Sequence, residues 1–304
     1  MDPRTTISDA EALASGDAFA VLEGYVRTAV TGADAVAWLN DLLTAEIAAL
    51  APGGVRRSFL LTPTGRIRTE VWAIRRERGV DLIERSDEPR SIAALLGPYV
   101  LSSDVAFAEP DPVAIVTMPS ARVADIADDE VSRAAGVHPA APSTLGAGAD
   151  LIATAGRLGE VREGLTSVGA REVATAAAEA LRVRRGIPRW RVDVLADSFP
   201  VGARVDDAVA QAKGCFLGQE AVAKIRNLGH PPTVLRHLTT SRVAHAGDVV
   251  RSRDDPVGEV TSSAPAPIGS ILLVRVDLRA GDAQLLLPDG SPLADAESDP
   301  APAA

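Results

Sequence analysis

KGCFLGQEAVAKIRNLGHPP, from Lys213 to Pro232, is the stretch on which the reading of this 304-residue chain turns. Gly214 and Gly218 frame Cys215-Phe216-Leu217, Gln219 to Arg226 supplies good helix formers, and Gly229-His230-Pro231-Pro232 stops the run. The pattern predicts a glycine turn that opens a helix. Cys215 then lies close to a helix N-terminus, where the macrodipole and unpaired amides favour a thiolate, and Lys213 adds positive charge two positions earlier. A second reading stands beside this one, in which Cys215 is a small buried hydrophobe, as free cysteines commonly are. The only lysines of the chain, Lys213 and Lys224, both fall here, every other basic residue being arginine. Two accounts cover this: chance clustering in an arginine-biased chain, or a site that requires a compact ammonium.

On either side of this segment the grammar is mixed. Glu11 to Leu22 and Asp34 to Leu50 carry helical spacing, the second placing Val36, Leu39, Leu43 and Ile47 on one stripe. Phe59-Leu60-Leu61, the turn Thr62-Pro63-Thr64-Gly65 and Ile67 to Ile74 predict a hairpin, followed by a strand at Val80 to Ile83 and a helix at Pro89 to Leu96. Val113 to Met118 and Leu151 to Thr154 read as buried strands around a loop-rich stretch at Pro139 to Gly148. Ala170 to Arg185 reads as a long helix closed by Gly186 and Pro188. Short strands then follow at Val234–Thr239, Asp248–Arg251, Val257–Ser262, Ile271–Val276 and Gln284–Leu287, a spacing that predicts a small antiparallel barrel. The expected division is an N-terminal α+β domain (1–112), a middle α+β region with the cysteine loop (113–228), a C-terminal β-barrel (229–294) and a disordered tail (295–304).

Composition narrows the class. Hydrophobic residues at 46% and charged residues at 24% describe an ordinary globular chain, long enough for two or three packed units and a cleft. A formal charge of -10 disfavours indiscriminate binding to nucleic-acid backbones, so direct nucleic-acid binding is not expected. With one cysteine the chain has no internal disulfide, CxxC pair or thiolate cluster site, and a reducing compartment fits best. The acidic, polar N-terminus lacks a secretory pattern and no apolar run is long enough to span a bilayer, so a cytoplasmic location without membrane contact is expected. His138, His230, His237 and His245 show no metal-ligand spacing, and no metal is expected.

The segment at Lys213 to Pro232 resembles the signature of the YgfZ-like proteins: Lys-Gly-Cys, an aromatic, then Gly-Gln-Glu and a basic residue. These form a branch of the superfamily that includes the glycine-cleavage T-protein, or aminomethyltransferase. Further matches resemble the same family. They are Val30-Thr31-Gly32-Ala33-Asp34 with Trp38-Leu39-Asn40 and Thr44, and Leu61-Thr62-Pro63 with Gly65-Arg66-Ile67. Leu181-Arg182-Val183 with Gly186-Ile187-Pro188-Arg189-Trp190, and the turns at Pro256-Val257-Gly258 and Pro267-Ile268-Gly269, complete the set. The resemblance covers about Glu11 to Pro288.

The resemblance implies a multidomain α+β fold, a T-protein-like core around a central cleft that holds tetrahydrofolate, with a C-terminal antiparallel β-barrel and the cysteine loop facing the cleft. On the matching positions it implies Cys215 and Lys213 as the reactive pair. The folate-binding positions on the motif are Gly214, Phe216, Gly218, Gln219 and Glu220; Arg182 and Arg184 are expected at the same site for their charge, and Trp190 either as a ring that stacks on a flat ligand or as packing. YgfZ-like proteins are associated with assembly or repair of iron-sulfur proteins and with tRNA-thiolating enzymes that need such clusters. The implied partners are therefore a reduced folate and iron-sulfur client or assembly proteins. Relatives in glycine cleavage transfer an aminomethyl carbon to tetrahydrofolate.

The chain departs from its relatives in three places. Arg184 stands where they carry a glutamate suited to the pterin ring, Pro200-Val201-Gly202 lacks a carboxylate, and the T-protein's paired aspartates fall on Thr69 and Glu70. These departures weaken the transferase reading more than the fold, and point to a binding protein rather than an enzyme; a ligand-free scaffold is the third reading. Arg182, Arg184, Arg185, Arg189 and Arg191 suit the glutamyl carboxylates of folate or an RNA phosphate, or else form a solvated helix end.

Overall fold

The computed structural model describes residues 2–120, 143–146, 148–229, 231–281 and 283–297, together with the backbone of residues 138–140. Helix α1 (Pro3–Ser15) starts with a satisfied N-terminus, because Asp2 accepts from the Arg4 amide and Pro3 needs no partner. It ends at Gly16, whose φ of 83° suits glycine, and strand β1 (Ala18–Thr31) follows at once. The helix expected over Glu11–Leu22 is therefore split. Ala20, Val21 and Leu22 pair with Thr117, Val116 and Ile115, and this ladder overrides their helical spacing.

Strand β1 is the axis of a nine-stranded sheet. Its other members are β2 (Val55–Leu61), β3 (Ile67–Arg75), β4 (Val80–Arg85), β5 (Ala106–Phe107), β6 (Asp111–Met118), β7 (His138–Ala140), β8 (Ala149–Thr154) and β9 (Arg171–Val173). The order is β2-β3-β4-β1-β6-β8-β7, with β5 and β9 also paired to β1, and the sheet runs through Pro112 without a break. All pairings are antiparallel except β1 with β9. The predicted hairpin is present as β2–β3. Residues 121–137 of the middle stretch lie outside the described residues.

Helices α2 (Ala35–Leu42) and α3 (Ile92–Leu96) cover one face of β2, β3 and β4 through Leu39, Leu43, Val71, Leu82 and Leu96. The stripe that suggested a helix as far as Leu50 stops at Leu42. Asn40 accepts from the Ile47 and Ala48 amides, and Thr44 donates its amide to Phe59, so the chain folds back onto β2 instead. The other face carries Val55, Ile74, Ile83 and Ile115, bordered by Leu22, Tyr25 and Trp72. Helix α4 (Leu158–Ser167) packs Val161 and Leu165 against β1, β6 and β8.

Helix α5 (Thr175–Arg184) begins later than the expected Ala170, because Arg171–Val173 are drawn into β9. Its alanines pack with α1 on Ala18 and Ala20 and reach Ala264 and Ile271 of the C-terminal sheet. Helix α6 (Gln219–Leu228) opens at Gly218 and closes at Gly229, as the glycine pattern predicts. The C-terminal sheet comprises β10 (Thr233–Thr240), β11 (Val249–Ser252), β12 (Asp255–Pro265), β13 (Ser270–Asp277) and β14 (Ala294–Asp295), in the order β11-β12-β13-β10-β14. A small antiparallel barrel was expected here. Among the described residues the sheet is curled, β11 and β14 are not paired directly, and Leu286 exchanges backbone hydrogen bonds with Arg251 of β11 and bridges Pro292, on the segment that leads into β14. Gln284–Leu287 forms no strand, because Pro288 and Pro292 leave Leu286 only isolated bridges to Arg251 and Pro292. Of the expected tail, Asp295 pairs with Leu238 and Ala296 donates to His237, while residues 298–304 lie outside the described residues.

Candidate functional site

A cavity of about 440 Å³ lies where the Leu22–Tyr25–Trp72 face of the large sheet meets α5 and the segment Ile187–Trp190. Strand alternation puts Glu70 and Trp72 on the cavity side of β3 and turns Thr69 and Val71 away. In β1 the register against β6 slips between Leu22 and Tyr25, with Gly24 at φ 83°. This bulge aims Tyr25 and Glu23 into the cavity.

Arg57 and Glu70 form a buried ion pair at 2.5 Å, and Arg57 also donates to the Pro188 carbonyl at 2.9 Å. Burial pushes Glu70 above the usual glutamate range, and the Arg57 charge and hydrogen bond only partly offset it. Tyr25 is likewise raised by burial, against the pull of the Arg85 guanidinium, which sits 5.2 Å from its ring. Trp190 is held by a 2.7 Å bond from Nε1 to Glu88 and by its contact with Phe59, so its ring is a positioned part of the wall.

Glu179 is the carboxylate that α5 contributes to this cavity. Burial alone would raise it, yet the hydrogen bonds and charge of Arg182, with that of Arg189, hold it below the ordinary glutamate value. Arg182 spends its Nε donor and one Nη2 donor on Glu179, two Nη1 donors on Ile187 O and Asp193, and its last on Ser262. All five donors of a guanidinium are thereby used, so Arg182 shapes the cavity without a donor left for a ligand. Arg184 points elsewhere: it lies 4.0 Å from Glu11 of α1 and is not part of the cavity wall.

The cysteine loop is a separate construction, and none of residues 213–220 lines this cavity. Cys215 is exposed, three positions ahead of the Gly218 cap rather than in the first turn of α6. Phe216 is buried among Phe59, Val205 and Val222, and Leu217 packs toward α2. Gly218 has a φ of 81°, and a Cβ there would sit 2.5 Å from the Thr62 carbonyl, so the hairpin turn demands glycine. Gly214 is exposed with open space around it, Gln219 opens α6, and Glu220 is exposed in its first turn. Lys213 is buried and donates to the carbonyls of Asn40, Leu43 and Ala45.

Of the positions expected to hold a ligand, the structure thus brings Arg182 and Trp190 to one cavity and leaves Arg184 and the segment 214–220 outside its wall. The sequence reading missed Tyr25, Arg57, Trp72 and Glu179 as wall residues. For Glu70 and Trp72 the signal was present, since residues two apart on a strand share a face. Among the described residues no group of three or more His, Cys, Asp or Glu side chains converges as a metal site, and no helix is long and apolar enough to cross a membrane.

No family model matches the chain. Two curated relatives are aminomethyltransferases. That of Corynebacterium aurimucosum is 32% identical over 117 residues, covering 37% of this chain and 31% of its own. That of Herpetosiphon aurantiacus is 27% identical over 218 residues, covering 70% of this chain and 58% of its own. The matches therefore span about a third and somewhat over half of those relatives. The fold is that of a glycine-cleavage T-protein. The aminomethyltransferase T of the glycine cleavage system from Bartonella henselae aligns with a TM-score of 0.77 at 19% identity, over 96% of this chain and 88% of that one. Together, sequence relatives and fold indicate the aminomethyltransferase superfamily.

Proposed function

We propose that this chain binds a reduced folate, tetrahydrofolate, in the 440 Å³ cavity, and that it acts as a YgfZ-like partner in assembly or repair of iron-sulfur proteins rather than as a transferase. The observation that carries the folate reading is the cavity's make-up. Trp72, Tyr25 and Trp190 offer flat apolar faces, while Glu70 and Glu179 place carboxyl groups among them. A pterin presents two faces and a donor-rich edge, which these groups match, and the volume falls within the roughly 300–1,000 Å³ of ordinary small-molecule sites. Arg85 and Arg189, at the partly exposed rim, suit the glutamyl carboxylates. When bound, tetrahydrofolate supplies a nucleophilic ring nitrogen able to accept a one-carbon unit. The exposed Cys215 and the KGCFLGQE segment favour the iron-sulfur role.

Aminomethyl transfer is the competing reading, favoured by the two relatives and by the Glu70 carboxyl in the cavity. Calorimetric titration with tetrahydrofolate separates the first question from the second. The expected result is binding that weakens with added salt and is lost in Trp72→Ala; absence of heat at millimolar ligand rejects the folate site. Folate-dependent release of a one-carbon unit from a methylamine-type donor by the unmodified protein would decide for the transferase. Iron-sulfur enzyme activities in cells lacking this chain should be restored by the wild type and not by Cys215→Ala.

A further inference from the structure

Helix α2 leaves carbonyls without intrahelical partners at its C-terminal end, as every helix does. Here a side chain from the distant cysteine loop meets them. Lys213 is 8% exposed, and its Nζ lies 2.5 Å from Asn40 O, 2.5 Å from Leu43 O and 2.9 Å from Ala45 O. An ammonium has three donors, and all three are used. The negative end of the helix dipole adds to the attraction. Phe216, whose ring centroid is 5.0 Å from the same Nζ, and Leu217, whose amide donates to Asp41 O at 3.1 Å, attach the other side of Cys215 to the same region. The exposed thiol is therefore suspended between two anchors, with one charged group holding the first.

We propose that Lys213 is a positioning residue, a latch whose ammonium ties the Cys215 loop to the end of α2 and whose deprotonation releases it. A neutral amine has two N–H groups and a lone pair, so one carbonyl of the three must lose its donor and face that lone pair. Burial lowers the Lys213 pKa to about 8, against the charges of Glu46 and Asp41, which favour the ammonium. The latch accordingly holds at neutral pH and opens on the alkaline side. It acts on how the thiol is presented and involves no residue of the folate cavity, so it stands or falls apart from the folate reading.

Amide hydrogen exchange of the intact chain from pH 6.5 to pH 10, corrected at each pH for intrinsic exchange, tests this. Protection of the Leu217 amide should fall at least tenfold across the range, while Val71 in β3 keeps its protection. In Lys213→Met, Leu217 should be weakly protected at every pH and its profile flat. Wild-type protection that stays constant to pH 10 overturns the latch, as does a Lys213→Met variant with wild-type protection. Should that variant lose protection in β3 as well, the wild-type profile alone decides.

Discussion

At Cys215 the side chain is exposed, while Phe216 beside it is 7% exposed and packs against Phe59, Val205 and Val222. Two consecutive residues of one motif thus serve different ends, one offering a group to solvent and the other fastening the loop that carries it. Replacing Cys215 with Ala removes an atom that supports no packing, so stability should change by no more than about 0.5 kcal/mol. Phe216→Ala removes a buried ring from the cluster beneath the hairpin and should cost about 3–5 kcal/mol. Paired urea denaturation curves measure both. A clearly destabilised Cys215→Ala would make the thiol a structural group and remove the basis for its functional reading.

Among the elements, the short helix α3 shows how a cap becomes pH-dependent. Its Ser91 side chain accepts from Ala94 N, and the buried Glu84 of β4 accepts from Ile92 N with both oxygens at 2.9 Å. Burial raises Glu84 to about 7 from 4.5, outweighing the Ile92 hydrogen bond, and the nearby Glu88 charge pushes the same way. A carboxyl raised in the folded state holds its proton there between about pH 4.5 and 7 while the unfolded chain has lost it. The folded state therefore binds more protons in that window, and stability falls as pH rises through it. Glu84→Gln keeps an acceptor for Ile92 and removes the charge. Its melting temperature relative to wild type should be higher at pH 8 than at pH 5 by about 2 °C or more. An offset that is the same at both pH values would show that Glu84 is already ionised throughout.

Which elements were legible in the sequence follows from how local their cause is. The β2–β3 hairpin was readable because its apolar runs flank a Pro-Gly turn, and α6 because Gly218 and Gly229 mark its ends. The α1–β1 junction was not, since Glu11 to Leu22 carries helical spacing and only pairing with the distant strands β6 and β9 claims its second half. The end of α2 depends on Asn40, Phe59 and Lys213, the last far away in sequence. The cavity was least legible of all. Tyr25, Arg57, Trp72 and Glu179 come from four elements, and each looks like an ordinary strand or helix residue until the sheet and α5 are brought together.

At the scale of the whole molecule, the cavity wall and the C-terminal sheet meet at one buried carboxylate. Asp193 accepts from Arg182 of α5, from the Arg189 amide, and from Thr261 and Ser262 of β12. Its side chain is fully buried and that of Arg182 nearly so. Burying this pair costs desolvation that the attraction repays only because every remaining donor and lone pair is met. Asp193→Ala would take away one of the two carboxylates that Arg182 meets and leave its Nη1, the Arg189 amide and the Ser262 hydroxyl short of an acceptor, and should cost about 3–5 kcal/mol. The double variant Arg182→Met with Asp193→Ala removes the buried cation along with the missing acceptor and leaves Glu179 to Arg189, so it should be more stable than Asp193→Ala alone. Chemical denaturation of the wild type, both single variants and the pair closes the cycle. Additive losses would mean that the two side chains act separately, and that contact among the apolar side chains of α1, α5 and β12, rather than this network, joins the C-terminal sheet to the wall of the cavity.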